Sequence, residues 1–131
     1  MSVLHYIDLL PFRESSYSRD ECDDYICRLT MRGSLGIDNA HETAVLVKAM
    51  IQGGMRRFIL NMENLTYVDS TGIGVIIRIK KNLLAANGDL VLYNVPPKVI
   101  EVFDLVNLKE FIRIFYSEQK ALEFLRSSCL P

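Results

Sequence analysis

A chain of 131 residues, half of them hydrophobic and 24% charged, has the size of one compact domain. Such a chain buries roughly two-thirds of its unfolded surface, so neither disulfides nor a structural metal is needed to hold it. Fifteen basic residues stand against 16 acidic ones, for a net charge of −1, and no basic stripe stands out, which argues against a nucleic-acid or anionic-membrane binder. Cys22, Cys27 and Cys129 are an odd, scattered set without zinc spacing, as reduced thiols of a cytoplasmic protein would be. The opening Met1-Ser2-Val3-Leu4-His5-Tyr6-Ile7 lacks the basic start and long apolar core of a signal peptide. No apolar run approaches the roughly 18 residues of a membrane span, so neither feature is expected.

In chain order, the apolar positions from Val3 to Leu10 predict a strand stopped by Pro11, and Arg13 to Asp24 reads as a polar, serine-rich exposed loop. Tyr25 to Met31 is a second strand, after which the chain turns through Gly33 and Gly36. The Asn39 side chain is placed to cap a helix, with Glu42 as its reciprocal partner. Ala40, Thr43, Ala44, Val47, Met50 and Ile51 recur at helical spacing until Gly53-Gly54 closes the segment. Arg57 to Met62 fits a strand buried on both faces, as inside parallel sheets. A helix from about Thr71 to Ala86, a strand from Asp89 to Tyr93 and a short helix from Pro97 to Leu105 follow. Phe111 to Phe115 is a last strand, and Ser117 caps a final helix to about Leu125. Strands alternating with helices after a leading strand pair predict an α/β class. One domain spans 1–131, with residues 1–24 as a leading strand plus polar loop and no internal repeat.

The junction Asp69-Ser70-Thr71-Gly72-Ile73-Gly74 is the most informative segment. A helix that begins there opens with unpaired backbone N–H groups, so Ser70 is exposed in a positive local field where a phosphate is tolerated and visible to a partner. A plain helix cap by Asp69 and Ser70 is the alternative. Along the helix, Gly72, Ile76, Ile79, Leu83 and Ala86 form the stripe packed on the sheet, and Gly74, Arg78, Lys81 and Asn82 face away. Ile73, Ile77 and Leu84 lie between, either widening the core stripe or forming an apolar patch beside Ser70 that suits a protein partner. Glycine at position 74 costs roughly 1 kcal/mol relative to alanine in a helix. Close approach of a partner would offset that loss, whereas tight packing on the sheet is the better account of Gly72.

Enzymatic readings fail on spacing. Thr71 separates the Asp-Ser pair from its glycine, unlike the Asp-Thr/Ser-Gly signature of the all-β aspartic proteases. Val68 stands where a serine-hydrolase elbow needs glycine, and neither His5 nor His41 lies in a segment resembling a triad loop. No Gly-Lys-Ser/Thr loop is present, and the Gly-x-Gly at Gly72 lacks the third glycine of a dinucleotide site. In a phosphoacceptor-aspartate receiver domain an acidic pair would end an early strand, but Asp23-Asp24 precedes its strand. His5 and His41 are solitary and lack further metal ligands at usable spacing. No catalytic residue, metal site or cofactor site is assigned, and the chain is not expected to be an enzyme.

The segment Phe58 to Val75, with its Asp69-Ser70-Thr71-Gly72-Ile73-Gly74, resembles the signature of STAS domains, specifically the bacterial anti-sigma factor antagonists. Gly33-Ser34-Leu35 resembles the family's Gly-x-Leu turn, Phe103 to Leu108 its Phe-Asp-x-x-Gly-Leu element, and Ser117 to Leu122 the start of its last helix. The likeness covers about residues 25–126. It implies a mixed, mostly parallel central sheet with about four helices packed mainly on one face. It further implies that Ser70, with Thr71 as second choice, is phosphorylated by an anti-sigma factor that is also a serine/threonine kinase. The unmodified domain would bind that factor and free a sigma factor, phosphorylation would end the binding, and a phosphoserine phosphatase would restore it. The partner surface so implied comprises Asp38, Asn39, Asp69, Ser70, Thr71, Ile73, Gly74 and Ile77. Gly36 stands where the family often has an acidic residue, with Asp38 as candidate substitute, and the 13–24 loop is longer than usual. A second reading is a STAS scaffold subunit of a larger signalling (stressosome-like) or transporter-associated assembly, packed permanently through the same surface.

Overall fold

In the computed structural model, which describes residues 4–11 and 25–128, five strands lie in sequence order in one sheet. They are β1 (Leu4–Pro11), β2 (Tyr25–Leu35), β3 (Arg57–Val68), β4 (Asp89–Tyr93) and β5 (Ile114–Phe115). β1 pairs antiparallel with β2, and β2 to β5 run parallel. The helices are α1 (Ala40–Gln52), α2 (Ser70–Ala85), α3 (Pro97–Leu105) and α4 (Glu118–Ser128). The polar loop expected over Arg13 to Asp24, with Cys22 and Cys129, lies outside the described residues.

Alternation sorts the strand residues onto two faces. Cys27, Leu29 and Met31 of β2 and Phe58, Leu60 and Met62 of β3 join the main core with residues of α1, α2 and α3. Ile26, Ile59 and Val91 point to the other face, where Ala121 and Leu125 of α4 cover them. Three helices on one face and one on the other explain why all six residues from Arg57 to Met62 are buried: β3 has no solvent side there. Arg28 ties α4 to the edge of the sheet by pairing with both Asp8 and Glu118. Cys27 is a free buried thiol pushed up to about 12 by burial and by Asp8, and so is unreactive. Among the described residues, no helix is long and apolar enough to cross a membrane.

Several boundaries depart from the sequence reading for local reasons. β2 continues through Gly33, whose φ of 102° absorbs a register shift against β3, so this glycine makes a bulge within the strand, and the turn falls on residues 36–39. β3 runs on to Val68, paired beyond Asn61 with β2 alone. The last strand is only Ile114–Phe115, because Leu108–Glu110 forms a 3-10 turn entered through Asn107 at φ 55°, a left-handed conformation that asparagine tolerates. Gly53-Gly54 closes α1 as the spacing predicts, with Met55 N–H donating to Met50 O and Gly54 N–H to Ile51 O. α4 runs past Leu125 to Ser128, with Lys120 N–H reaching Ser117 Oγ at 3.4 Å.

Candidate functional site

The site forms where β2 and β3 end and α1 and α2 begin. Asp69 is the N-cap of α2, and its Oδ1 accepts the Gly72 N–H at 3.0 Å. Its Oδ2 accepts the Ile37 N–H at 2.9 Å, and its own N–H donates to Leu35 O at 3.2 Å. The backbone N–H groups of Gly72, then Ile37, hold its carboxyl below the usual carboxylate range. Asp69 therefore caps one helix and ties down the turn that leads into another.

Two glycines make this convergence possible. A Cβ on Gly36 would lie 2.4 Å from Asp69 Oδ2, so the carboxylate occupies the space a side chain would need. A Cβ on Gly72 would lie 2.4 Å from Leu35 O, which places the first turn of α2 hard against the end of β2. The packing account of Gly72 is thus correct. Gly74 is different: a Cβ there would meet nothing within 4 Å, and the residue is exposed.

Asn39 corrects one expectation. It occupies the N-cap position of α1 but makes no side-chain cap bond. Its Oδ1 accepts the Gly36 N–H at 2.9 Å and its Nδ2 donates to Ser34 O at 2.8 Å, so the amide closes the turn. At 3% exposure Asn39 shapes this surface from beneath. Ile73 is likewise inside, at 7% exposure, and Ile77 is partly buried against the main core. These two widen the core stripe, as do Val75 and Lys80, and Leu84 remains exposed far down α2. Asp38, Ser70 and Thr71 are exposed beside the partly buried Asp69.

The apolar contribution beside Ser70 comes instead from residues that sequence reasoning missed. Ile37 is 77% exposed and Tyr67 58% exposed, and both line a cleft of about 100 Å³ with Ser34, Gly36, Asp38, Asn39 and Asp69. An isoleucine inside a Gly36-Ile37-Asp38 turn was the available signal, since turns seldom spend a β-branched residue on solvent. No group of three or more His, Cys, Asp or Glu side chains fit to hold a metal ion occurs among the described residues. His5 Nε2 lies 2.9 Å from Thr43 Oγ1, its pKa lowered by burial, and His41 is exposed.

Compared with known protein families, residues 17–121 match the STAS domain, a span that includes every residue of this site. The chain belongs to the STAS domain family. Among similar proteins, BtrV of Bordetella bronchiseptica, named as a candidate anti-sigma factor antagonist, is 29% identical over 91 residues, covering 70% of this chain and 78% of that protein. The anti-sigma-B factor antagonist of Staphylococcus aureus is 26% identical over 91 residues, covering 70% and 84%. A crystal structure of a Thermotoga maritima protein named as a candidate anti-sigma factor antagonist superimposes with a TM-score of 0.74 at 27% identity, covering 77% of this chain and 87% of that one. The five-stranded mixed sheet with four helices is the STAS architecture that the resemblance implied.

Proposed function

We propose that this STAS domain is an anti-sigma factor antagonist: a binding module, without catalysis of its own, that engages an anti-sigma factor while Ser70 is unmodified. Phosphorylation of Ser70 by that factor, acting as a serine/threonine kinase, ends the contact, and a phosphoserine phosphatase restores it. The names of its relatives support the partner class. The observation that carries the switch is the placement of Ser70 as the exposed first residue of α2, next to a carboxylate whose two oxygens are already engaged by backbone N–H groups.

From that placement the physics follows. A phosphate on Ser70 adds about 1.5 to 2 negative charges at a helix N-terminus, where the macrodipole tolerates an anion. The frame beneath it, tied by Asp69 to both Gly72 and Ile37, has no cause to unfold. A partner surface closing over that charge must desolvate it. An uncompensated charge in a desolvated contact costs on the order of 3–5 kcal/mol, which raises Kd by roughly two to three and a half orders of magnitude. The contact surface on this reading is Asp38, Ser70, Thr71 and Gly74, flanked by Ile37 and Tyr67, with Asn39 and Ile73 supporting it from within.

Calorimetric titration with the anti-sigma factor kinase of the same organism tests this. Ser70→Asp is expected to bind at least about tenfold more weakly, and Ser70→Ala to bind as wild type while refusing phosphate, with both variants unfolding at the wild-type temperature. Equal affinity for all three proteins would sink the switch and favour the scaffold reading, in which packing is indifferent to the state of Ser70.

A further inference from the structure

Between α1 and α2 runs an open groove of about 480 Å³ whose floor is apolar, formed by Ala44, Val47, Ile51 and Ile79. Val45, half exposed, stands on its wall. The charged or titratable residues that line it are His41, Lys48 and Arg78, with no carboxylate among the lining. Lys48 and Arg78 make no ion pair or hydrogen bond with the described residues. One wall begins at His41, in the first turn of α1 just past the 36–39 turn. On the other wall, Gly74 and Arg78 lie one turn apart on the exposed face of the helix that starts at Ser70. The groove is therefore continuous with the surface around Ser70.

We infer that this groove receives an acidic amphipathic helix of the same protein whose binding Ser70 controls, an inference that rests on the function proposed above. An apolar floor under a cationic rim takes a helix with one apolar stripe flanked by Asp or Glu. From His41 to Gln52 the wall spans eleven residue steps, roughly 16 Å, which matches about three helical turns. A free phosphate or nucleotide fits less well. Beyond the first turn of α1 the walls are helix flanks whose N–H groups are spent inside the helices, so the groove lacks the ring of backbone donors that holds phosphates. The groove supplies adhesion and register, and Ser70 supplies control.

Binding of the anti-sigma factor kinase from the same organism, measured by calorimetry at low and high salt, tests the assignment. The doubly substituted Lys48→Glu/Arg78→Glu protein is expected to bind at least about tenfold more weakly and with a flattened salt dependence. Both positions are exposed, so it should unfold at the wild-type temperature, and the conservative pair Lys48→Arg/Arg78→Lys should keep wild-type affinity. Replacing acidic residues on one helix of the kinase by lysine should restore binding to the reversed protein. Wild-type affinity of the reversed protein, alongside loss of binding by Ser70→Asp, would overturn the groove while leaving the switch standing. If Ser70→Asp also bound normally, the proposed function itself would fall. Sedimentation showing the chain alone as a dimer that the reversal dissociates would assign the groove to a second copy and overturn the inference.

Discussion

Two aspartates hold α2 in place by opposite means. Asp69 sits partly exposed at its N-terminus and is neutralised by backbone N–H dipoles from Gly72 and Ile37. Asp89 opens β4 in the interior, at 9% exposure, and is neutralised by a full counter-ion, Lys80 of α2, whose Nζ also donates to Leu90 O at 3.2 Å. Its Oδ1 further accepts the Leu90 N–H at 2.7 Å. The contrast teaches where a second negative charge is tolerable. At the dipole-held end water and unspent N–H groups remain nearby, so a phosphate can be added. At the ion-paired end the carboxylate already takes both the Lys80 ammonium and the Leu90 N–H in a buried setting, so a second negative charge there would have to be desolvated with one cation between two anions.

The largest expected effect is at the buried pair. Lys80→Ala leaves the Asp89 carboxylate buried without its cation and is expected to lower stability by about 3–5 kcal/mol in denaturant unfolding. The double change Lys80→Met/Asp89→Asn should recover much of that loss, because the amide oxygen can still accept from Leu90 N–H. Failure of the double variant to recover would mean that the ammonium itself, and not the orphaned carboxylate, dominates.

Next in size is Gly72→Ala. The added methyl would lie 2.4 Å from the Leu35 carbonyl oxygen and against Val68, so overpacking at the upper end of about 1–3 kcal/mol should outweigh the roughly 1 kcal/mol that alanine contributes to a helix, for a net loss of about 2 kcal/mol. A gain in melting temperature would show that the end of β2 yields more easily than its bonding suggests.

At the dipole-held end, Asp69→Asn keeps one carbonyl oxygen but turns an NH2 toward a second N–H donor, and is expected to cost about 1–2 kcal/mol. Its pH dependence sharpens the comparison. Because the folded protein holds the Asp69 carboxyl below its ordinary value, the unfolded chain takes up the proton first as acid is added. The stability contributed by Asp69 is therefore complete above the ordinary carboxylate range and is lost as pH falls below about 4, through the folded-state value. The gap between wild type and Asp69→Asn should be constant from neutral pH down to about 5 and narrow below it; a gap independent of pH throughout would refute the dipole account.

The smallest effect has the opposite sign. Gly74→Ala should raise stability by about 0.5–1 kcal/mol, since its methyl enters open space. Gly74→Leu should fold at least as well as wild type yet bind the anti-sigma factor kinase poorly.

Much of the fold was legible because its signals are local. The apolar run from Arg57 to Met62 announced a strand covered on both sides, and Asn87-Gly88 and Pro97 marked the limits of α2 and α3. Asp69 at a strand-to-helix junction was readable as a cap, and Ser70 as an exposed neighbour. What stayed hidden depends on contacts between distant segments. Gly33 signals a positive φ but not whether that φ serves a turn or a bulge, which is settled by pairing with β3. Asn39 has the right residue type for a helix cap, yet Ser34 and Gly36 outcompete the helix for its amide. Lys80 sits on the flank of a helical stripe where lysine usually snorkels to water; only the position of Asp89 on the adjoining strand turns it inward.

The space shared by Gly36 and the Asp69 carboxylate has a consequence for how such a chain can change over generations. Neither position is free to drift alone: a side chain at 36 displaces the carboxylate, and a shorter residue at 69 releases both the turn and the helix cap. The two sites are epistatic, so substitutions there should be strongly non-additive in stability. A route from this arrangement to one with an acidic side chain at position 36 must first find another anchor for the Ile37 amide, and the order in which those mutations arrive decides whether the intermediates fold.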